Sequence, residues 1–324
     1  MKVYLGIDVG SVTTKIAALN QDDELIAHCY IPTEGKPITI IQQGLKQIKQ
    51  QLPADTEISG VATTGSARYL AGVIVGADLV KNEITCHAVA ALQRIPEVQT
   101  IIEIGGQDSK IIIIRDKVVT DFGMNTVCAA GTGSFLDHQA LRLNMSIEDF
   151  TRQALKSDTP VRIAGRCTVF AESDMVHKQQ MGHRIENIIY GLCQALVRNY
   201  LNNVGTGKEI LPPIAFQGGV AFNSGIVRAL EEELNTTIIV PPHHEVMGAI
   251  GAALLAHEKV VESSNGSHFK GFGISDVHYQ TSSFECKSCP NLCEIAQLSI
   301  NGKVLARWGG RCDLWERSLS GQQS

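Results

Sequence analysis

A segment that occurs twice constrains the fold more than any other feature of the sequence. Residues 2–31 contain short apolar runs separated by a glycine turn and a polar turn, which predicts strand, turn, strand, turn and strand. Residues 100–120 repeat this order, and Lys110 occupies the position of Lys15. Such an internal duplication predicts two similar halves, the second starting near residue 98, that face each other across a cleft.

Helix and strand patterns alternate through the rest of the first 260 residues. The apolar periodicity predicts helices at residues 38–52, 135–143, 146–156, 168–175 and 185–204, and strands at 58–62, 214–217 and 237–240. This pattern is typical of an α/β protein. We expect residues 1–260 to form the duplicated domain, residues 261–275 to be a linker rich in Gly and Ser, and residues 276–324 to form a small Cys-rich extension.

Composition and charge argue against nucleic acid or membranes as partners. Charged residues make up 19% of the chain and the formal net charge is -5, so no general attraction to phosphate polymers is expected. The start of the chain lacks the long apolar core of a signal peptide, and no apolar run approaches the roughly 20 residues of a membrane span. We therefore expect a cytoplasmic protein.

The first glycine turn has the chemistry of a phosphate-binding loop. Its residues are Asp8, Gly10, Ser11, Val12, Thr13, Thr14 and Lys15. Glycine lets backbone N–H groups approach a phosphate, the hydroxyl groups add donors, and Lys15 supplies positive charge. Asp8 is a candidate ligand for hydrated Mg²⁺.

The second copy of the turn adds two candidate catalytic residues. Gly105 and Gly106 form this turn, Gln107 is suited to orient an attacking water, and Asp108 to hold metal or water. Further nucleotide contacts are assigned to small residues later in the chain: Gly131, Gly218, Gly219, Val220 and Gly248. The order of these segments resembles the superfamily of actin, sugar and acetate kinases and the large heat-shock chaperones. The resemblance implies a duplicated actin-like ATPase fold, with two subdomains around a nucleotide cleft.

Two cysteines stand out because each follows a turn and precedes a predicted helix. Cys128 begins the segment CAAGTGSFLDH, and Cys167 begins CTVFAESDM. The N-terminus of a helix stabilises a thiolate, which favours metal ligation by both residues. Two thiolates cannot complete a four-coordinate metal or iron–sulfur site, but a twofold dimer supplies four. From spacing alone, a pair of ordinary buried cysteines is an equally good interpretation.

Five motifs together resemble one ATPase family. In order they are GIDVGSVTTK, EIGGQDSK, NTVCAAGTGSFLDHQA, GRCTVFAESDM and FQGGVAFN. They are similar to those of the activators of 2-hydroxyacyl-CoA dehydratases, in the BadF/BadG/BcrA/BcrD ATPase family that also serves benzoyl-CoA reductases. The resemblance covers about residues 1 to 258. It is specific, since both cysteine motifs are absent from actins and sugar kinases.

The resemblance implies an ATPase coupled to electron transfer in anaerobic metabolism. A homodimer would hold one [4Fe–4S] cluster through Cys128 and Cys167 of both subunits, and the glycine loops would bind ATP or ADP with Mg²⁺. One electron would come from ferredoxin or flavodoxin. ATP hydrolysis would then drive that electron at low potential to an iron–sulfur dehydratase or reductase.

The remaining cysteines fall into two groups. Cys286, Cys289, Cys293 and Cys312 have the spacing C-x2-C-x3-C-x18-C, which suits Zn²⁺ or a second iron–sulfur site, with free thiols as the alternative. Cys29, Cys86 and Cys193 are isolated in apolar surroundings and are interpreted as small buried residues.

Two functions from other classes stay open. A small-molecule kinase of the same fold would share the glycine loops, but the cysteine pair would have no purpose in it. A nucleotide-regulated binding protein would bind ATP without transferring electrons. Anaerobic purification separates these alternatives, because only the electron carrier is brown.

Overall fold

The computed structural model describes residues 1–263, 266–312 and 314–315. Residues 264–265 of the expected linker, and residues 313 and 316–324 of the expected extension, lie outside the described residues. The chain divides into two compact units. The first comprises Met1–Glu83 together with the described residues from Gly248 onward, and the second comprises Ile84–Met247.

The first unit is built on a five-stranded mixed sheet. Its strands are β1 (Lys2–Val9), β2 (Thr13–Leu19), β3 (Leu25–Pro32), β4 (Glu57–Thr64) and β5 (Leu79–Val80), and its helices are α1 (Pro37–Gln51) and α2 (Arg68–Val75). The strand order is β3-β2-β1-β4-β5, with β1 antiparallel to β2 and parallel to β4. Strand β1 is central, and every residue of it after Lys2 is buried.

The second unit repeats this sheet. After α3 (Glu83–Arg94) come β6 (Thr100–Ile104), β7 (Ser109–Arg115), β8 (Val118–Asn125), α4 (Gly133–Arg142), α5 (Ile147–Ala154), α6 (Thr168–Gln180), α7 (Ile185–Tyr200), β9 (Ile214–Gln217), α8 (Ser224–Leu234) and β10 (Ile238–Ile239). The order is β10-β9-β6-β7-β8, with β6 antiparallel to β7 and parallel to β9. Because each strand has a counterpart with the same neighbours and directions, the predicted duplication is confirmed.

Helix α9 (Met247–Ser263) packs closely against the central strand of the first unit. A Cβ added at Gly6 of β1 would overlap the carbonyl oxygen of Ala249 and lie 2.5 Å from the backbone nitrogen of Ala253. The small residues of the segment GAIGAAL, residues 248–254, therefore allow the strand and helix backbones to meet without intervening side chains.

Substitution of Gly6 by alanine should destabilise the first unit. The methyl group meets rigid backbone, so strand and helix must separate, and we expect a loss of about 3 kcal/mol in unfolding free energy. Thermal or denaturant unfolding measures this loss. Gly273→Ala is the matched control, because no atom lies within 4 Å of its added Cβ. Equal melting temperatures for the two variants would contradict the close packing.

The segment after α9 is held against the first unit. The side-chain amide of Gln42 donates to the carbonyls of Ile274 and Val277 at 2.9 and 2.7 Å. The carboxylate of Asp78 accepts from the hydroxyl of Ser267 and the N–H of His268, both at 2.7 Å. This part of the expected linker is therefore fixed in place.

A small antiparallel sheet follows. Its strands are β11 (Gln280–Glu285), β12 (Glu294–Ile300) and β13 (Lys303–Trp308), in the order β11-β12-β13. Leu298 of β12 is fully buried in the core of the first unit. Of the helices in the described residues, none is long and apolar enough to span a membrane.

Candidate functional site

The glycine turn of the first unit carries a buried carboxylate paired with a lysine. Asp8 at the end of β1 and Lys15 in β2 are cross-strand neighbours, and the ammonium group of Lys15 lies 3.1 Å from a carboxylate oxygen of Asp8. The N–H of Gly10 donates to the carbonyl of Thr13 at 3.0 Å and closes the turn. Asp8 is 5% exposed, so its charge is shielded from bulk water.

The turn of the second unit has the same construction. Glu103 and Lys110 are cross-strand neighbours, with 2.9 Å between the ammonium nitrogen and a carboxylate oxygen. The N–H of Gly105 donates to the carbonyl of Asp108 at 3.0 Å, in the manner of Gly10 and Thr13. The ammonium group of Lys110 also lies 2.9 Å from a carboxylate oxygen of Asp108.

Glu103 is a site residue that the sequence reasoning missed. In the sequence, Lys110 matches Lys15, and Asp108 is the acid predicted for the second turn. The available signal was the spacing, because Asp8 and Glu103 each precede their lysine by seven residues and end an apolar strand.

A second pair of matching glycines borders these carboxylates. Gly65 follows β4 with φ +89°, and Gly218 follows β9 with φ +93°. A Cβ at Gly65 would lie 2.5 Å from Asp8 Oδ1, and one at Gly218 would lie 2.8 Å from Glu103 Oε1. Both positions thus combine a left-handed backbone with close approach to the acid. Gly218 is among the predicted nucleotide contacts, whereas Gly65 is not.

The other residues of the first turn differ in accessibility. Ser11 is exposed, Val12 and Thr13 are partly exposed, and Thr14 is fully buried. The hydroxyl of Thr14 lies 3.0 Å from the hydroxyl of Thr33 in the interior of the unit. That Thr14 offers its hydroxyl to a ligand stays a prediction.

In the second turn Gln107 is exposed and Asp108 is partly exposed. The carbonyls of Gly105 and Gly106 accept hydrogen bonds from the N–H groups of Gly133 and Ser134 at 2.8 and 2.9 Å. These donors are the first two residues of α4. The start of α4 is therefore attached to the turn that carries the candidate catalytic residues.

The segment after β9 forms a short 3-10 helix, Gly219–Phe222, in which Val220 is buried. The imidazole of His244 contacts the carbonyl of Gly218 at 3.0 Å and packs edge-on against Phe222. Gly248 lies buried at the start of α9.

Cys128 is held by its backbone at the edge of the second unit. The side chain of Asn125 accepts from the N–H of Cys128 at 2.9 Å and donates to its carbonyl at 2.8 Å. Cys128 caps a single 3-10 turn, Ala129–Gly131, and α4 begins only at Gly133. The helix predicted at residues 135–143 corresponds to α4, and Cys128 precedes it by five residues, with a separate 3-10 turn between them.

Cys167 does begin a regular helix. It is the N-cap residue of α6, and its carbonyl accepts from the N–H of Ala171 at 3.0 Å. Asp174 of α6 accepts from the N–H of Ala164 at 2.8 Å and so fixes the loop ahead of the cysteine. Both Cys128 and Cys167 are partly exposed and carry free thiols.

Asn199 near the end of α7 joins the two cysteine segments. Its side-chain oxygen accepts from the thiol of Cys128, with 3.8 Å between sulfur and oxygen, and its amide nitrogen donates to the carbonyl of Gly165 at 2.6 Å. A Cβ at Gly131 would lie 2.9 Å from that same Asn199 oxygen. Gly131 therefore packs closely against α7, and its nucleotide contact stays a prediction.

Tyr200, which follows Asn199 in α7, contacts the strand residue Lys110 just after the second turn. The hydroxyl of Tyr200 donates to the carbonyl of Lys110 at 2.8 Å. Burial, and secondarily the charge of Glu103, raises the pKa of Tyr200 well above its usual value, so the hydroxyl stays protonated and remains a donor. After Tyr200 the helix continues as one π-helical turn, Leu201–Gly205, a local irregularity that often marks functional sites.

Apolar side chains next to the cysteine pair are exposed. Val127 is 95% exposed, and Val169 and Phe170 are each 66% exposed. Exposed large apolar side chains within three residues of Cys128 or Cys167 in the sequence are typical of a surface that another protein covers.

The three isolated cysteines behave as the sequence predicted. Cys29, Cys86 and Cys193 are buried. Burial raises the pKa of Cys29 to about 11 and that of Cys193 to about 12, which keeps these thiols neutral and unreactive.

The duplicated sheets and paired glycine turns define a protein of the actin-like ATPase fold. More particularly, the chain belongs to the BadF/BadG/BcrA/BcrD ATPase family, whose sequence pattern matches residues 5–256. The predicted fold and family are both confirmed.

Three relatives illustrate the range of this family. The chain is 36% identical to the (R)-2-hydroxyglutaryl-CoA dehydratase activating ATPase of Acidaminococcus fermentans, over 81% of this chain and 100% of that protein. The crystal structure of component A of that dehydratase matches with a TM-score of 0.75, 33% identity and the same two coverages.

The 2-hydroxyisocaproyl-CoA dehydratase activator of Clostridioides difficile is 34% identical, over 80% of this chain and 96% of that protein. Its structure, with bound ADPNP, matches with a TM-score of 0.73 and covers 81% of this chain and 97% of that chain. One of the benzoyl-CoA reductase subunits of Thauera aromatica is 28% identical, over 80% of this chain and 96% of that protein.

Proposed function

We propose that this protein is an ATP-hydrolysing activator that delivers one low-potential electron to an iron–sulfur partner enzyme of the 2-hydroxyacyl-CoA dehydratase type. Two relatives that match nearly their whole length are activators of such dehydratases, and one binds ADPNP in its crystal structure. We further propose that the protein works as a homodimer and accepts its electron from ferredoxin or flavodoxin.

The nucleotide part of the proposal rests on the two glycine turns. Backbone N–H groups beside Gly10 and Gly105 are suited to phosphate oxygens, and each turn has a lysine held by a buried carboxylate. Asp8 would hold hydrated Mg²⁺, because carboxylate oxygens are the ligands this ion prefers. Gln107 is exposed and would orient the attacking water.

The observation that carries the electron-transfer part is the cysteine pair. Cys128 and Cys167 are partly exposed, their loops share Asn199 as a partner, and exposed apolar residues lie beside them. This donor set fits an iron–sulfur cluster, since thiolates are its usual ligands and two copies of the chain supply the four that a [4Fe–4S] cluster needs. When bound, such a cluster accepts and releases a single electron.

Hydrogen bonds within the second unit support a link between nucleotide and cysteines. The turn at Gly105 and Gly106 holds the start of α4, five residues after Cys128, and Lys110 holds Tyr200, which follows Asn199. A change at the turn on exchange of ATP for ADP would shift both contacts. Movement of the helix ends near Cys128 and Cys167 would then change how strongly those helix ends stabilise negative charge at the two cysteines.

Anaerobic purification followed by a redox titration tests the proposal. We expect a brown protein with about four iron atoms per dimer at the bridging site, and a midpoint potential that differs between the ATP and ADP forms. A colourless protein would contradict electron transfer. A brown protein with the same potential and the same dimer shape in both nucleotides would contradict the coupling.

A reductase is the second candidate for the electron acceptor. The similarity to a benzoyl-CoA reductase component supports this candidate, although that relative is the least similar of the three. Reconstituted electron delivery to a purified dehydratase and to a purified benzoyl-CoA reductase, compared side by side, distinguishes the two acceptors.

A further inference from the structure

Cysteines after β11 and before β12 lie at the same end of the small C-terminal sheet. Strand β11 ends at Glu285, which pairs with Glu294, the first residue of β12. Cys286 and Cys293 are therefore the next residues outward on the two strands, and the N–H of Cys286 donates to the carbonyl of Cys293 at 2.8 Å. Cys289 lies in the connecting loop between them and is exposed.

The segment after β13 returns to this same end. Gly309 has φ +103°, and a Cβ there would lie 2.6 Å from the carbonyl oxygen of Glu294. A Cβ at Gly310 would lie 2.8 Å from the carbonyl oxygen of Cys312 and 3.5 Å from the side chain of Ile295. The glycine pair thus turns the chain beside the start of β12, which brings the backbone of Cys312 to the end that carries the other three cysteines.

This end of the sheet has little apolar core of its own. Every residue of β11 except Phe284 is exposed, and Ile295 and Leu298 are the fully buried residues of β12. Leu298 already packs into the core of the first unit. Structures with so little buried apolar surface usually depend on disulfides or a bound metal.

We propose that Cys286, Cys289, Cys293 and Cys312 form a tetrathiolate metal site, separate from the cysteine pair of the second unit. The family pattern ends at residue 256, so the site lies outside the part of the chain that the family accounts for. Within the described residues no three of these sulfurs lie within 4.8 Å of one another. Ligands of one tetrahedral Zn²⁺ stand about 3.8 Å apart, given bonds of about 2.3 Å. Binding of Zn²⁺ would therefore move the exposed Cys289 and Cys312 closer to the other two cysteines. An iron–sulfur cluster would require less movement, because it holds its cysteine ligands farther apart.

The test uses the full-length chain with Cys128 and Cys167 both replaced by serine, so that bridging iron does not contribute. Metal-free protein is incubated anaerobically either with Zn²⁺ or with iron and sulfide, then desalted and analysed for metal. We expect about one zinc or about four iron atoms to be retained per chain, and the better-retained metal identifies the site.

Cys289→Ser and Cys312→Ser should each lower retention at least tenfold, and each replaces an exposed side chain that the fold does not need. Lys287→Ala, exposed in the same loop, is the matched control and should retain the metal. Retention of neither metal, equal retention in all variants, or a disulfide found by mass spectrometry would overturn the site. None of these outcomes touches the proposed activator function, whose iron depends on Cys128 and Cys167.

Discussion

Replacement of Cys128 by alanine should abolish electron delivery while ATP hydrolysis continues. In the proposed homodimer, the bridging cluster would need two thiolates from each chain, and the variant would leave only the two Cys167 thiols. We expect bridging iron to fall from about four atoms per dimer to less than a tenth of that value. Delivery to the acceptor should fall by at least a hundredfold.

The matched control for this prediction is Cys29→Ala. Cys29 is buried, and burial raises its pKa to about 11, so its thiol contributes packing and no ligand. Iron and sulfide are measured after anaerobic purification, and dimerisation by sedimentation. A Cys128→Ala protein that keeps its bridging iron would show that the cluster is held elsewhere.

Replacement of Glu103 by glutamine should slow ATP hydrolysis by about 10- to 100-fold, the range found when an outer partner of a metal or charged ligand is removed. Glu103 is 5% exposed, and its carboxylate lies 2.9 Å from the ammonium group of Lys110 beside the proposed nucleotide-binding turn. The amide is isosteric and still accepts from Lys110, and Asp108 remains beside that lysine, so the fold should persist. Phosphate release during a Mg²⁺ titration measures the effect.

Asp116→Asn is the control for Glu103→Gln. Asp116 is an exposed turn residue with φ +51°, a conformation that asparagine tolerates well. The Asp116→Asn variant should hydrolyse ATP at the rate of the unaltered protein. If Glu103→Gln keeps the same ATP hydrolysis rate and the same Mg²⁺ requirement, Glu103 has no role in hydrolysis.

Much of the fold could be predicted because the duplicated segment repeats both the apolar runs of the strands and the turns that separate them. Two apolar strands around a glycine turn are a local signal, and β9 was predicted with its observed bounds, Ile214–Gln217. The C-terminal sheet was not predicted. Strand β11 reads QTSSFE and lacks apolar alternation, because its residues are exposed and no buried face imposes a period of two.

The site was predicted in its chemistry more than in its geometry. Gly10, Gly105 and both special cysteines follow from residue type, but the inward orientation of Thr14 depends on Thr33, which lies nineteen residues away. The role of Asn199 could not be predicted either. It arises because one turn of α7 lies beside two loops that are distant in sequence.

The attachment of α4 to the glycine turn would limit how tightly ATP hydrolysis and electron delivery can be coupled in the proposed activator. Three hydrogen bonds carry the direct connection, from the N–H groups of Gly133 and Ser134 and from the hydroxyl of Ser134. A hydrogen bond that is made in one nucleotide form and broken in the other contributes about 1 kcal/mol, so the three together correspond to about 3 kcal/mol, a bias of roughly 150-fold. Through this contact alone, about one turnover in 150 would hydrolyse ATP without delivering an electron. Tighter coupling would require the Tyr200 contact as well.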